Sequence, residues 1–424
     1  MSGLPDKWIE TTLGEVCFKI TDGSHHSPKA FKNGYPMLSV KDMNNFGFNL
    51  KNCKTISKDD YKKLEQQGCK PDYGDILIAK DGSVLKHIFM MKQELDVVLL
   101  SSIAILKPNK QLIESQYVVY FLLNPFIKRY ILNHFLSGSG VPRIVLKDFK
   151  QIQFKIPPLL EQKSIANILS SFDEKIELLR EQNETLETLA QTIFKEWFVN
   201  FNYPDATGEM VDSELGEIPK GWRVYDLNEL VDTVNGYSYK GKELVESSDE
   251  ALVTLKSFNR NGGFQTRGFK PFIGMPKQQQ EVKVGDLVVA HTDLTQDAEV
   301  LGNPAFIFED AGYSKMYITM DLVKVVSKNK NIDNVLVYYI MKDRRFKGHC
   351  IGYSNGTTVL HLSKKSIPEY KIAFPENLQL AKDFSNYANS LTNKISNNIY
   401  QIQTLTKTRD TLLPKLMSGQ VRVN

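Results

Sequence analysis

Several strings in this 424-residue chain carry residue types that chemistry needs, and each is incomplete. Asn124-Pro125-Phe126 approaches the Asn/Asp-Pro-Pro-aromatic loop that holds a flipped base for methylation, but it lacks the second proline. It reads instead as a helix break. Gly236-Tyr237-Ser238-Tyr239-Lys240-Gly241-Lys242 approaches a phosphate loop, yet Glu243 stands where Ser or Thr would hold magnesium. A carboxylate there repels phosphate, and no apolar strand leads into the string. Pro71-Asp72 with the later Glu161-Gln162-Lys163 has the acid-acid-lysine content of a nuclease. Its second half falls in a long helical pattern, which predicts a solvated structural role. His25-His26 has no third ligand at metal spacing. No catalytic residue and no metal site is expected.

Composition is that of a soluble globular protein, 42% hydrophobic and 24% charged. The length predicts more than one core. A net charge of +4 permits nucleic acid as a partner without demanding it. No apolar run reaches the roughly 18 residues of a membrane helix, and the first residues lack the basic-then-apolar order of a signal peptide. Cys17, Cys53, Cys69 and Cys350 show no C-x-x-C spacing and read as incidental thiols of a reducing compartment. A cytoplasmic location without membrane contact is expected.

The elements that must position any site are duplicated. Lys7-Trp8-Ile9-Glu10 with Leu13-Gly14-Glu15-Val16 is answered by Gly221-Trp222-Arg223-Val224 with Leu227-Asn228-Glu229-Leu230. Tyr73-Gly74-Asp75-Ile76-Leu77-Ile78-Ala79 is answered by Val284-Gly285-Asp286-Leu287-Val288-Val289-Ala290, and Phe154-Lys155-Ile156-Pro157 by Ile372-Ala373-Phe374-Pro375. The separation stays at roughly 210 to 220 residues throughout, so the chain is an internal repeat. Strands are predicted over 76–79, 97–106, 287–290 and 317–326, and helices over 116–136 and 334–346. Each half is therefore a mixed α and β globule.

After Pro157-Pro158 the pattern becomes heptad. Ile165, Phe172, Leu179, Leu186 and Ile193 form one row, and Leu169, Ile176, Asn183, Ala190 and Trp197 the other. The second copy supplies Phe384, Leu391, Asn398, Leu405 and Leu412, with Ala388, Ile395, Ile402, Arg409 and Leu416. Each seam holds one asparagine, which either fixes register or is a tolerated defect. Pro414 should end or kink the second helix just before it, with Gly419 past the end. The predicted fold class is α+β: two globular α/β domains held apart by two long antiparallel coiled-coil helices, with an internal pseudo-two-fold repeat. The expected domains are residues 1–155, 156–203, 204–374 and 375–424. From Ile165 to Trp197 the helix advances about 50 Å, which would make it a ruler.

The stretch Ile156-Pro157-Pro158-Leu159-Leu160-Glu161-Gln162, running into Ile165-Ala166-Asn167-Ile168-Leu169, resembles the central region of type I restriction–modification specificity subunits. So do Asp173-Glu174-Lys175-Ile176-Glu177, Asn183-Glu184-Thr185-Leu186-Glu187 and Ile193-Phe194-Lys195-Glu196-Trp197-Phe198-Val199-Asn200-Phe201. The lead from Gly208 to Trp222 and the tail from Arg409 to Gly419 are similar to the same family. One departure stands out: Pro375-Glu376-Asn377-Leu378 lacks the second proline and the Glu-Gln pair of the first copy. The resemblance implies a non-catalytic subunit whose two target-recognition domains each read one half of a bipartite double-stranded DNA target. It implies two methylation subunits on the helices and restriction/translocase subunits around that core. S-adenosylmethionine, ATP and magnesium would belong to those partners, with no cofactor bound by this chain.

Direct readout needs polar side chains on loops, with basic residues nearby for phosphates. Equivalent loops of the two copies are the candidates. The first pair follows the Gly-Asp strand: Lys80, Ser83, Lys86 and His87, against His291, Thr292, Thr295 and Gln296. The second precedes the helix: Ser137, Ser139 and Arg143, against Asn355, Thr357, Thr358 and His361. Two other readings account for part of the pattern. One is a coiled-coil scaffold with two protein-binding heads and no DNA; the other is a fused methyltransferase–nuclease.

Overall fold

The computed structural model describes residues 7–138, 140–258 and 263–423. The chain divides into two compact units, Met1–Glu177 with Ile402–Asn424, and Leu178–Gln401. Both are built to one plan.

In the first unit the strand Ile9–Thr12 pairs antiparallel with Gln153–Ile156. Thr12 then caps the short helix Leu13–Val16, with Glu15 returning to the Thr12 amide. In the second unit Trp222–Asp226 pairs with Lys371–Pro375, and an Asp226–Glu229 capping box opens Leu227–Leu230. The tryptophan landmarks are thus a strand running into a capped turn.

Two sheets follow. The first unit orders Cys17–Asp22, Ile103–Pro108, Ile76–Ala79 and Ile88–Met90 side by side, with Lys54–Ile56, Tyr35–Leu38 and Val98–Leu99 in a second sheet. The second unit repeats this with Val231–Asn235, Leu322–Ser327, Leu287–Ala290 and Pro304–Phe306. Its companion sheet holds Phe269–Pro271, Glu250–Val253, Lys315–Ile318 and Glu281–Val282. Strands 76–79 and 287–290 are buried on both faces, which is why they read as continuous apolar runs.

The Gly-Asp landmark before each has a physical cause. Gly74 and Gly285 take φ of +91° and +93°, open to glycine at no steric cost. Asp75 accepts from the Asp72 amide and pairs with Lys107 at 2.5 Å; Asp286 accepts from the Lys283 amide and pairs with Lys324 at 2.8 Å. The expected strands 97–106 and 317–326 are each two strands in different sheets. Turns closed by Ile103 N donating to Leu100 O, and Leu322 N to Thr319 O, carry the chain across. Both halves of each run are buried, so hydropathy does not betray the break.

The helices predicted over 116–136 and 334–346 are each a pair, Ser115–Leu123 with Pro125–Phe135 and Asn334–Lys342 with Arg344–Gly352. Asn124 caps the second helix through the Phe126 amide at 3.0 Å with Pro125 at its first position, so the Asn-Pro-Phe string is a helix start. Asp343 does the same for Arg345 at 2.9 Å.

Two long helices, Leu159–Phe198 and Gln379–Met417, each run through both units. Within the first unit Asp173 meets Arg409 at 2.5 Å while Glu161 meets Arg422 at 2.6 Å, so the two segments run antiparallel. Ile165, Ala166 and Leu169 share a core there with Leu413, Leu416 and Met417. Within the second unit Asn183 meets Asn398, and Ala190, Phe194 and Phe198 pack with Ala381, Phe384 and Ala388. That direction is antiparallel too. Every residue of the four heptad rows is buried or half-buried.

Pro414 does not end the helix, which continues to Met417. It sits in the last turn, where Leu413, Leu416 and Met417 are buried, and that burial outweighs the missing amide bond. Ser418 N still reaches Pro414 O at 3.1 Å, and Gly419 follows at φ +72°. Among the described residues no helix is long and apolar enough to cross a membrane.

Candidate nucleic-acid interface

The two loops of each predicted pair lie side by side. In the first unit the chain leaving Ile76–Ala79 meets the chain leaving Pro125–Phe135. Ile144 N donates to Lys80 O at 3.0 Å and Gly82 N to Pro142 O at 2.8 Å. Arg143 bridges both sides, opposite Asp81 and opposite Ser137. In the second unit the same arrangement is a three-stranded sheet of Thr292–Asp293, Leu360–Leu362 and Ser354–Asn355. There His361 lies opposite Thr292 and Asn355. Arg143 and His361 therefore hold corresponding positions on corresponding platforms.

Placement separates the candidates. Ser83, Lys86, Ser137, Arg143, Gln296, Asn355, Thr357, Thr358 and His361 are exposed, and His87, His291 and Thr295 are partly so. Ser139 lies outside the described residues. Lys80 is turned inward, buried, its Nζ 3.3 Å from Asp22 and 3.2 Å from Asp81. Thr292 is buried as well, its hydroxyl donating to Asp321 at 3.1 Å. These two support the platform rather than face outward. Thr295 donates to Asp293, whose carboxylate also takes the Val300 and Leu301 amides. Burial alone would raise the Asp293 pKa, but those hydrogen bonds outweigh it and hold the group below its ordinary value.

In the first unit Ser83, Lys86 and His87 open on a groove of about 590 Å³, whose other wall is Lys41, Asn44 and Asn45. Burial, then the charges of Lys86 and Lys128, pushes the His87 pKa down, so its ring is neutral at neutral pH. His291 shifts the same way through burial, His361 and Lys364. The wall at 41–45 was not among the sequence candidates. A signal existed: Leu38-Ser39-Val40-Lys41-Asp42-Met43-Asn44 repeats as Val253-Thr254-Leu255-Lys256-Ser257-Phe258-Asn259. Both stretches form a single helical turn, Val40–Asp42 and Leu255–Ser257, ahead of a bridge, Met43 to Phe48 and Phe258 to Phe264.

The incomplete catalytic strings have structural employment. Gly236 is a crossing point, where a Cβ would stand 2.0 Å from Thr319 O; Gly23 is its counterpart, 2.2 Å from Leu99 O. Glu243 accepts from the Lys240 amide at 2.6 Å and from the Tyr237 hydroxyl at 3.1 Å, so its carboxylate holds a short turn together. Asp72 pairs with Lys107. Glu161 is buried against Arg422 rather than solvated, and Gln162 binds Pro157 O and the Glu114 amide. Burial pushes the Cys17 and Cys350 thiols up to about 12. Among the described residues no three His, Cys, Asp or Glu are grouped to hold a metal.

Residues 5–188 match the family model described as the type I restriction modification DNA specificity domain. The type I restriction enzyme MjaIX specificity subunit of Methanocaldococcus jannaschii is 30% identical over 321 residues, 73% of this chain and 69% of that protein. The chain belongs to this family of specificity subunits. The MjaVIII specificity subunit of the same organism is 27% identical over 360 residues, 82% of this chain and 79% of its own length. The S subunit crystal structure from M. genitalium shares the fold, with a TM-score of 0.60 at 17% identity and 98% of each chain covered. As a specificity subunit the chain supplies DNA sequence recognition to a type I restriction–modification system. The family is named for recognition, not for catalysis.

Proposed function

We propose that each compact unit reads one half of a bipartite DNA target, using the platform around Arg143 in the first unit and around His361 in the second. The observation that carries this is the recurrence of one platform in both units, with exposed polar side chains on it that differ between copies. A repeated scaffold with unlike tips suits one docking mode and two base sequences. The long helices would set the length of an unread spacer and carry two methylation subunits, with restriction/translocase subunits joining them. Catalysis, and with it S-adenosylmethionine, ATP and magnesium, would lie wholly in those partners, in the cytoplasm.

The test uses the chain assembled with its methylation subunits. Lys86→Ala and Arg143→Ala should each weaken binding to target duplex. Removing one phosphate-neutralising charge should also flatten the log–log salt slope by about 0.9. Unaltered affinity and slope in both variants would overturn the assignment.

A further inference from the structure

The turns Val40–Asp42 and Leu255–Ser257 are closed by the same bonds. Asp42 N donates to Ser39 O at 3.0 Å and Met43 N to Val40 O at 3.2 Å. Ser257 N donates to Thr254 O at 2.9 Å and Phe258 N to Leu255 O at 3.0 Å. Just before each turn, Leu100 N donates to Leu38 O at 2.8 Å and Thr319 N to Val253 O at 3.1 Å, at the crossing between the unit's two sheets. Met43 shares a core with Ala79, and Phe258 shares one with Ala290. Those alanines end the strands that lead into the platforms. Each turn is therefore anchored in the core that carries its unit's platform strand.

Packing accounts for most of what recurs in these turns, but not for the lysine at their centre. Val40 and Leu255 are half-buried, and Met43 and Phe258 are buried. The caps differ. Buried Asp42 accepts from the Ser39 amide at 2.8 Å and from its hydroxyl at 3.0 Å. In the second unit the Thr254 hydroxyl accepts from the Lys256 amide at 3.3 Å and donates to Gly268 O at 2.8 Å. Different side chains thus build one backbone, yet its middle residue is Lys41 in one copy and Lys256 in the other. Both are exposed, and neither ammonium has a hydrogen bond or ion pair among the described residues. Lys41 stands on the groove wall opposite Ser83, Lys86 and His87. The charge across from it is not kept: aligned on Ala79 and Ala290, Lys86 falls against Asp297. A cation that recurs on a recurring turn suits the phosphate backbone, which is the same at every target. Tips that change suit the bases.

We infer that Lys41 and Lys256 are equivalent phosphate contacts, one to the backbone of each half-site, which position the two readers without choosing the bases they read. This assignment rests on each unit being a half-site reader.

The experiment takes the chain assembled with its methylation subunits and the duplex that the unaltered complex methylates, with binding measured from about 50 to about 200 mM salt. Lys41→Ala and Lys256→Ala should each flatten the log–log salt slope by about 0.9, and the double variant by about 1.8. Over that range each single variant should lose roughly threefold less affinity than the parent. Lys41→Arg and Lys256→Arg keep the charge and should keep the slope. Lys62→Ala removes an exposed charge on the helix Lys58–Gln66, outside the groove, and should leave the slope as it is. When each base pair of the duplex is changed in turn, both alanine variants should show the parent's discrimination at every position. A slope unchanged in either alanine variant, flattened equally by Lys62→Ala, or accompanied by discrimination lost at particular base pairs would overturn the inference. Lys86→Ala and Arg143→Ala tell two failures apart. If they flatten the slope while Lys41→Ala does not, this inference alone falls; if none of the three does, the reading of the first unit falls with it.

Discussion

Asn183 and Asn398 bear directly on how the long helices pair. Asn398 is fully buried and donates to Asn183 Oδ1 at 2.8 Å and to Gln182 Oε1 at 2.9 Å. Its own Oδ1 has no partner. Asn398→Ala removes two side-chain hydrogen bonds at about 0.5–1.5 kcal/mol each, so the second unit should lose about 1–3 kcal/mol. Asn183→Leu strands part of the buried Asn398 amide and should cost a similar amount. Asn183→Leu with Asn398→Leu removes both amides and the orphaned oxygen together and buries apolar surface. The double variant should therefore be more stable than the parent by about 1–3 kcal/mol. Three tryptophans make the assay local: a Trp8→Phe background leaves Trp197 and Trp222, both in the second unit, as the fluorescence reporters of urea unfolding. Assembled with methylation subunits, the double variant should also direct methylation to sites of more than one spacer length, because polar pairing no longer penalises a slipped register. Single-variant effects that simply add, with a double variant less stable than either, would mean that the two asparagines do not act as a buried pair.

Gly23→Ala and Gly236→Ala should each destabilise by about 3 kcal/mol, since the new Cβ meets a backbone carbonyl at 2.2 and 2.0 Å; Gly348→Ala, in a helix with open space around it, should stabilise slightly in the same thermal melts. His87 and His291 are held below the ordinary imidazole pKa of about 6.5, mainly by burial. Above that value both states are neutral and contribute nothing. Below it the unfolded chain takes up protons that the folded chain refuses, so the melting temperature should fall as pH drops through the ordinary imidazole value, less steeply in His291→Gln. Insertion of seven residues in both long helices, near Glu184 and near Asn398, should lengthen the methylated spacer by about three base pairs, because each heptad adds about 10 Å of helix. Both half-sites should stay as they were.

Much of the architecture was legible because it is periodic or duplicated. The heptad rows show in the sequence since burial along a paired helix must recur every seven residues, and each of their members is buried or half-buried here. Gly74-Asp75 and Gly285-Asp286 were visible since a left-handed turn and a lysine-paired carboxylate admit few residue types. The sheet crossings at Leu100 and Thr319 were hidden because both flanking strands are buried and apolar. Pro414 misled since a propensity rule ignores the core that anchors the last turn. Lys80 looked like a phosphate contact and is a buried ion-pair partner, because only the fold brings Asp22 beside it. Asn45, on the groove wall facing Lys86, escaped because repeat matching seeks what is the same and the second copy has Arg260 at that position.

Methylome sequencing of cells carrying this chain with its methylation subunits shows whether the two units read two separate half-sites. One bipartite motif is expected, two short defined half-sites around a gap of fixed length and free sequence, absent when the chain is deleted. A continuous motif without a gap, or the same methylation without the chain, would contradict it.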